Sequence, residues 1–178
     1  AHIDRMSAYC GLLADQLGLG SERAASIQAA AALHDAGKIA IPDAILLKPG
    51  ALTAHERQVV QQHCEVGYHL LRGTGTEVLE LAATIAWTHH ERWDGSGYPS
   101  GLTGDAIPLA GRITAVADVF DVLAHPRPHK KAWPLEQAFQ EILDQAGRQF
   151  DPEVVGAFRR LDGRSLLEPV SEQLRRAA

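Results

Sequence analysis

Apolar residues recur three and four positions apart along most of the chain, the spacing that places them on one face of an α-helix. One such row runs from Ile3 to Leu17, and a second runs from Ala25 to Leu33. The alternation of apolar and polar residues that marks a half-buried strand is nearly absent. The pattern therefore predicts an all-α fold.

Capping residues divide the rest of the chain into further helices. Thr53 and Glu56 carry the signature of a capping box and predict the start of a third helix, which Gly73 ends. A fourth helix is expected from about Glu77 to His90. The remaining signals predict helices over residues 113–123, over residues 135–143 and from an N-cap at Asp151 with a first-turn proline at Pro152.

Glycine and proline interrupt the helices in two places. The segment 91–104 contains Asp94-Gly95-Ser96-Gly97-Tyr98-Pro99, which predicts an ordered loop. A second, proline-rich break covers residues 125–134. A chain of 178 residues is long enough for one domain with a real core. We therefore expect one domain over residues 1–162 and a polar tail over residues 163–178.

Charge and composition narrow the function. Hydrophobic residues make up 46% of the chain and charged residues 22%, which is typical of a globular protein. The formal net charge of -5 argues against a protein that coats a nucleic-acid polymer, DNA or RNA, because such proteins neutralise the phosphates with net positive charge. An anionic substrate must therefore meet a local positive site or a metal ion.

Signals of compartment are few. Cys10 and Cys64 are too few and too unpatterned for a disulfide framework or a cysteine zinc site, which indicates a reducing compartment and a cytoplasmic location. No apolar run is long enough to cross a bilayer, since Asp118 and Asp121 interrupt even residues 113–124. The chain begins within a helical row and without methionine, so we expect it to belong to a longer polypeptide.

The chain contains nine histidines, several of them near helix ends. Taken alone, His34-Asp35 is explained by a histidine at a helix C-terminus, where the imidazole meets the helix dipole. His63 lies on the apolar row of the third helix, and a lone histidine there is more often hydrogen-bonded than bound to metal. His89-His90 ends the fourth helix, and two adjacent imidazoles there favour metal ligation.

An aspartate in the fifth helix completes this set. Asp118 lies beside the apolar stripe, where a carboxylate must be paired or bound to metal, and a salt bridge to Arg112 would explain it about equally well. The joint pattern favours metal, because a histidine near the chain start, His-Asp, histidine, His-His and aspartate on different helices are improbable as unrelated accidents. Imidazole and carboxylate ligands together suit iron, manganese, zinc or nickel better than calcium or magnesium.

These motifs, in this order, closely resemble the HD-GYP family of the HD phosphohydrolase superfamily. The resemblance covers the chain from His2 to about Phe158. The motifs that carry it are His34-Asp35-Ala36-Gly37-Lys38-Ile39, Ile41-Pro42-Asp43, Lys48-Pro49-Gly50, His63, His89-His90-Glu91, Asp94-Gly95-Ser96-Gly97-Tyr98-Pro99, Asp118-Val119-Phe120-Asp121, Arg127-Pro128, Lys130 and Gly147-Arg148-Gln149-Phe150-Asp151-Pro152.

The resemblance implies a compact multi-helix HD-domain bundle with a Gly/Pro-rich GYP loop and two divalent metal ions, iron or manganese. Two such ions can activate water and stabilise charge on a phosphoryl group. Asp35 would bridge them. The implied ligands are His2, His34, Asp35 and Asp118 for one ion and His63, His89 and His90, with the shared Asp35, for the other.

The resemblance also implies contacts with substrate. Lys38, Arg127 and Lys130 match positions that contact substrate phosphate, and Lys38 joins Asp35 as a catalytic residue. For all three bases the alternative is a solvated surface cation. Phosphate contacts of this kind would compensate for the negative charge of the chain.

Three further residues carry less specific expectations. Gly97 and Tyr98 can bring the backbone or an aromatic ring to the substrate, or can simply shape the loop. Asp121 can orient a ligand histidine by accepting its hydrogen bond, or can complete a salt bridge.

By resemblance, the chain is expected to hydrolyse cyclic di-GMP, or a related cyclic dinucleotide, to linear pGpG, GMP or both. It would be the output domain of a larger bacterial signalling protein with an upstream sensor or receiver domain, and diguanylate cyclase domains are expected partners.

Two departures keep alternatives open. The chain has Arg127-Pro128-His129 where the family usually has Arg-Pro-Tyr, and Ala124-His125 where the family has a pair of small hydroxyl residues. One alternative is therefore a receptor or scaffold that binds cyclic dinucleotides or diguanylate cyclases without turnover. Another is an HD phosphohydrolase acting on a different nucleotide, which the Gly97-Tyr98-Pro99 loop disfavours.

Overall fold

α-Helices form the architecture over residues 2–126 and 131–161, which the structure, a computed structural model, describes. Within these ranges the β-structure is confined to an isolated bridge between Ala146 and Phe150, so the all-α prediction is confirmed. The helices are α1 (His2–Gln16), α2 (Ser21–Ala31), α3 (Asp43–Leu46), α4 (Ala54–Gln61), α5 (His63–Leu71), α6 (Glu77–Thr88), α7 (Leu109–Ala124), α8 (Leu135–Asp144) and α9 (Pro152–Arg160).

The core lies between α1, α2, α6 and α7. α1 packs against α2 and α7, and α6 packs against α2, α5 and α7. Leu13, Ile85, Ile113 and Phe120 are fully buried between these helices. Phe158 of α9 extends the core, because its ring centroid lies 5.0 Å from that of Phe120. The packing brings the start of α1, the end of α6 and the middle of α7 together.

The predicted third helix is in fact two helices. The capping box is present, since Thr53 Oγ1 accepts from the Glu56 N–H and Glu56 Oε2 accepts from the Thr53 N–H. α4 then ends at Gln61, and α5 begins at His63 after a turn at Gln62. The sequence did not reveal the break, because Gln62 keeps right-handed helical angles and no glycine or proline marks it.

The end of α2 differs from the prediction, and the start of α9 agrees with it. α2 ends at Ala31, so His34-Asp35 lies in the turn before a 3-10 helix, Ala36–Ala40, and not on α2 itself. The α9 prediction is confirmed, because Asp151 accepts from the Glu153 N–H as N-cap and proline follows it.

Two glycines allow the 3-10 helix to lie directly on α5. A Cβ on Gly37 would overlap the His63 carbonyl oxygen, and a Cβ on Gly67 would lie only 3.3 Å from the Gly37 main-chain nitrogen. Close backbone approach of this kind requires glycine. It sets Asp35, just before the 3-10 helix, beside His63 at the start of α5.

Within the described ranges, no helix combines the length and the apolar character that a bilayer crossing requires.

Candidate metal centre

Side chains from five parts of the fold converge on one site. They come from α1, the turn after α2, the start of α5, the end of α6 and α7, and they form two groups. Within each group the ligand atoms lie within 4.8 Å of one another. We call them the carboxylate half, His2, His34 and Asp118, and the histidine half, His63, Cys64, His89 and His90.

Asp35 lies between the two halves. Its Oδ2 lies 3.3 Å from His34 Nε2, while its Oδ1 lies 3.4 Å from His63 Nε2 and 3.9 Å from His89 Nε2. One carboxylate oxygen therefore faces each half. This is the geometry expected of a bridging ligand.

Hydrogen bonds with the backbone determine the tautomers of three buried histidines. In each of these rings Nδ1 lies near a carbonyl oxygen three or four residues earlier, at 2.9 Å for His34, 2.6 Å for His63 and 3.0 Å for His89. A carbonyl only accepts, so Nδ1 carries the proton and the neutral ring presents a lone pair at Nε2.

The lone pairs of these rings face one another inside the site. His63 Nε2 and His89 Nε2 are 3.4 Å apart, and two lone pairs cannot satisfy each other. His34 Nε2 and Asp35 Oδ1 are buried and lack a hydrogen-bond partner among the described residues. Cations, one in each half, would satisfy these atoms, so the residues fit bound divalent metal ions.

Burial keeps the histidine half neutral. It lowers the pKa of His63, lowers that of His89 well below its ordinary value and lowers that of His90 to about 3. Burial also raises the pKa of the Cys64 thiol to about 12, so without a metal ion this sulfur is protonated. The half therefore presents nitrogen lone pairs and a neutral thiol.

In contrast to the neutral histidine half, His34 and Asp35 have pKa values that favour their charged forms. Burial would lower the pKa of His34, but the neighbouring Asp35 carboxylate outweighs it and the pKa is raised. Burial likewise would raise the pKa of Asp35, but His34 and Lys38 outweigh it, so its pKa lies well below the ordinary value. Asp35 is therefore an ionised carboxylate. Without a metal ion, a proton on His34 Nε2 can supply the missing positive charge.

Lys38 lies at the rim of the site. Its Nζ donates to Asp35 Oδ2 at 2.6 Å, and more than a third of its side chain is exposed. The ammonium group thus adjoins the bridging carboxylate and also reaches solvent, where an anionic group can approach it.

A charged network holds His2. Its Nδ1 lies 2.6 Å from Asp121 Oδ2, and its Nε2 lies 3.5 Å from Asp118 Oδ1. Arg5 Nε donates to the other Asp121 oxygen at 2.7 Å. The Asp121 carboxylate is buried, so it fixes the orientation of the imidazole that faces Asp118. Arg112, the base considered for Asp118, pairs instead with aspartates outside this site.

The GYP loop closes the site beside the histidine half. The Tyr98 ring stacks on His90, with centroids 4.8 Å apart and planes 27° apart. A Cβ on Gly97 would overlap the main-chain nitrogen of Arg92, so the loop requires glycine there. The buried Glu91 carboxylate accepts from two loop N–H groups at 2.7 and 3.0 Å. Glu91 thus anchors the loop, a role the sequence analysis missed; its adjacency to the paired histidines was the available signal.

The sequence pattern provided no signal for Cys64, because two cysteines without a metal-ligand spacing predict no metal site. The structure places its Sγ 3.6 Å from His63 Nε2. Arg127 and Lys130 lie outside the described residues, so the structure does not place these two predicted substrate contacts.

Comparison with known proteins assigns the family. A family model described as HD domain matches residues 1–154. The chain is 51% identical to the cyclic di-GMP phosphodiesterase response regulator RpfG of Xanthomonas campestris pv. campestris. The match covers all of this chain and 47% of that protein. It is 48% identical over 161 residues, 90% of this chain and 44% of the relative, to a cyclic di-GMP phosphodiesterase of Thermotoga maritima.

A third relative has a different named substrate. The chain is 49% identical over 155 residues, 87% of this chain and 30% of the relative, to 3'3'-cGAMP-specific phosphodiesterase 2 of Vibrio cholerae. The chain thus spans about half the length, or less, of these curated relatives.

A solved structure shares the fold. The crystal structure of a cyclic GMP-AMP specific phosphodiesterase of Vibrio cholerae superimposes with a TM-score of 0.70 at 24% identity, covering 97% of this chain and 47% of that one. Proteins of the HD domain family are metal-dependent, and this chain has the cluster to bind metal. The chain belongs to the HD domain family, as a member of the HD-GYP group that its His34-Asp35 and Gly97-Tyr98-Pro99 motifs indicate.

Proposed function

We propose that this chain is a metal-dependent phosphodiesterase that hydrolyses cyclic di-GMP to linear pGpG, GMP or both. The observation that carries the proposal is Asp35, whose two oxygens face two separate groups of metal-ligand atoms. The names of the relatives, which are phosphodiesterases of cyclic di-GMP or cGAMP, support a cyclic-dinucleotide substrate.

We assign two divalent metal ions, iron or manganese, to the centre. Imidazole and carboxylate ligands suit these ions. When bound, the pair supplies positive charge that lowers the pKa of water and stabilises charge on the phosphoryl group. His2, His34 and Asp118 would hold one ion, His63, His89 and His90 would hold the other, and Asp35, whose oxygens face both groups, would be shared.

The surrounding residues prepare the site for a phosphodiester. The low pKa of Asp35 keeps its carboxylate charged and available to two cations. Asp121 holds the His2 ring through Nδ1, which leaves Nε2 directed into the site. Lys38 can exchange its contact with Asp35 for a phosphate oxygen, since its side chain reaches solvent.

We assign the remaining substrate contacts to Arg127, Lys130, Tyr98 and Gly97. Arg127 can form paired hydrogen bonds with phosphate oxygens, and Lys130 can act as a point charge. Tyr98 stacks on His90, and burial raises its pKa, so its neutral hydroxyl can donate to the dinucleotide. Gly97 gives the loop the close backbone path that sets this ring in place.

The wider context is part of the proposal. We infer that residues 1–162 form the catalytic output domain of a larger cytoplasmic signalling protein with an upstream sensor or receiver domain. The name of the relative RpfG, a response regulator of which the chain covers 47%, supports this arrangement. Diguanylate cyclase domains are proposed partners, since they make the substrate that this domain would remove.

Product analysis tests the proposal. Protein purified without oxygen and loaded with iron or manganese is incubated with cyclic di-GMP, 3'3'-cGAMP or a mononucleotide, and the products are separated by chromatography. We expect linear pGpG or GMP from cyclic di-GMP and no reaction with the mononucleotide. Binding of cyclic di-GMP without product, at full metal content, would overturn the enzyme proposal in favour of a receptor. Hydrolysis of the mononucleotide alone would indicate a different HD phosphohydrolase.

A further inference from the structure

The distances within the histidine half match the edges of a tetrahedron around one metal ion. A zinc-type centre has metal–sulfur bonds of about 2.3 Å and metal–nitrogen bonds of about 2.1 Å, so its edges are about 3.6 Å between sulfur and nitrogen and about 3.4 Å between nitrogens. Cys64 Sγ lies 3.6 Å from His63 Nε2, and the His63 and His89 Nε2 atoms lie 3.4 Å apart. Two of the three edges among these ligand atoms therefore already have the required length, and the third, between Cys64 and His89, lies within 4.8 Å.

The fourth position is also available. A ring nitrogen of His90 lies within 4.8 Å of the other three ligand atoms. Cys64, His63 and His89 are almost completely buried, so water does not compete easily for the ion. Asp35 Oδ1, which lacks a hydrogen-bond partner among the described residues and lies 3.4 Å from His63 Nε2, would be a fifth ligand, as its position between the two halves requires.

We propose that Cys64 is a protein ligand of the metal ion in the histidine half and makes this half selective for thiophilic ions such as zinc or iron over manganese. The inference rests on the proposed metal-dependent function. Without an ion, the thiol can donate weakly to the lone pair of His63 Nε2. On binding, the S–H bond breaks, the proton goes to solvent and a sulfur–metal bond forms. A soft thiolate favours ions later in the Irving–Williams series than manganese.

Cobalt(II) substitution tests the sulfur ligand directly. Cobalt replaces zinc in such sites, its visible bands report bound ions, and a thiolate ligand adds an intense charge-transfer band in the near ultraviolet. We expect this band in the wild-type chain and its loss in Cys64→Ala and Cys64→Ser. Cys10→Ala is the matched control, because Cys10 is the other buried free cysteine but belongs to neither half.

Zinc affinity provides a second measurement. Competition with a chelator should show that Cys64→Ser weakens zinc binding by at least about 10- to 100-fold, the range observed when even an outer contact of a ligand is removed. Manganese affinity should change much less, and Cys10→Ala should change neither. Circular dichroism of each variant establishes that it is folded.

The outcomes separate the two proposals. Visible cobalt bands without the charge-transfer band would overturn the assignment of Cys64 and leave the metal centre intact. A charge-transfer band that persists in both folded Cys64 variants would overturn it as well. Failure of cobalt, zinc, iron and manganese to bind at all would overturn the metal-dependent function together with the inference.

Discussion

The two halves of the centre hold their ligands by different means. In the histidine half, the imidazoles of His63 and His89 are buried and donate to main-chain carbonyls, His63 to one in α4 and His89 to one in α6. In the carboxylate half, His34 is held in the same way, but His2 is partly exposed and depends on a charged network of Asp121 and Arg5. Main-chain contacts therefore hold His63 and His89 of the histidine half, whereas the carboxylate half also depends, at His2, on side chains that single substitutions can release.

The donor atoms differ as well. The histidine half offers nitrogen and sulfur, while the carboxylate half adds Asp118 and shares Asp35. Soft and hard donors select different ions, so the two halves are expected to differ in metal preference. Substitutions can be sorted by whether they affect both halves, one half or neither.

Asp35→Ala should have the largest effect, because this carboxylate faces both halves. We expect loss of detectable hydrolysis and loss of metal from both halves, while the fold is largely retained. Metal content by elemental analysis and product chromatography check this. Asp43→Ala serves as control, because Asp43 is an exposed aspartate at the start of α3. Normal metal content with full activity in Asp35→Ala would contradict the bridging assignment.

Asp121→Asn should affect only the carboxylate half. An amide at this position cannot accept from both His2 and Arg5 as a charged carboxylate does, so the His2 ring loses its orientation. Loss of such an outer contact costs about 10- to 100-fold in metal affinity. Titration with metal should show a lower affinity at one of the two metal sites and an unchanged affinity at the other.

A matched control is Asp105→Asn, which alters an aspartate paired with Arg112 outside the site. Equal weakening of both ions in Asp121→Asn would show that the two halves are one cooperative unit and would remove the distinction drawn between them.

The sequence predicted the features that neighbouring residues determine, but not the features that depend on how distant parts of the chain pack. Helical periodicity and caps are local, so α1, α6, α7 and the start of α9 agree with prediction, whereas the unmarked turn at Gln62 was missed. The motif resemblance named the histidines and aspartates that converge. The approach of Cys64 Sγ to His63 Nε2 depends on the side-chain directions at the start of α5, after that turn, which a motif does not record.

Arg127→Ala and Lys130→Ala should leave both halves unchanged and weaken only substrate use. Neither cation ligates a metal in its charged form. Loss of a charge-assisted contact of about 1.5 to 3 kcal/mol corresponds to roughly ten- to a hundredfold in kcat/KM. Steady-state kinetics beside metal analysis check this, with Lys131→Ala as the neighbouring control. Metal loss in either variant would show that a structural base was taken for a substrate contact.

The smallest effect is expected from Glu56→Gln, which affects neither half nor the substrate. Glu56 caps α4, the helix that leads into the histidine half, and accepts from Lys48 Nζ at 2.7 Å and from the Thr53 N–H at 2.7 Å. These hydrogen bonds, with Lys48 the larger cause, lower the pKa of Glu56 to about 2. The ordinary value is about 4.3, so the carboxylate stabilises the fold fully above that pH and loses this contribution as the pH falls towards about 2.

Thermal unfolding of metal-free protein between pH 7 and about pH 3 measures this contribution. Glu56→Gln should unfold at a slightly lower temperature than wild type at pH 7, and the gap should narrow as the pH falls below about 4.5. Added salt should also narrow it, because the contact with Lys48 is only partly buried and is therefore screened. Glu136→Gln, an exposed glutamate in the first turn of α8, is the control. A gap that stayed constant across this pH range would show that the charge of Glu56 contributes nothing and that only its shape matters at the cap.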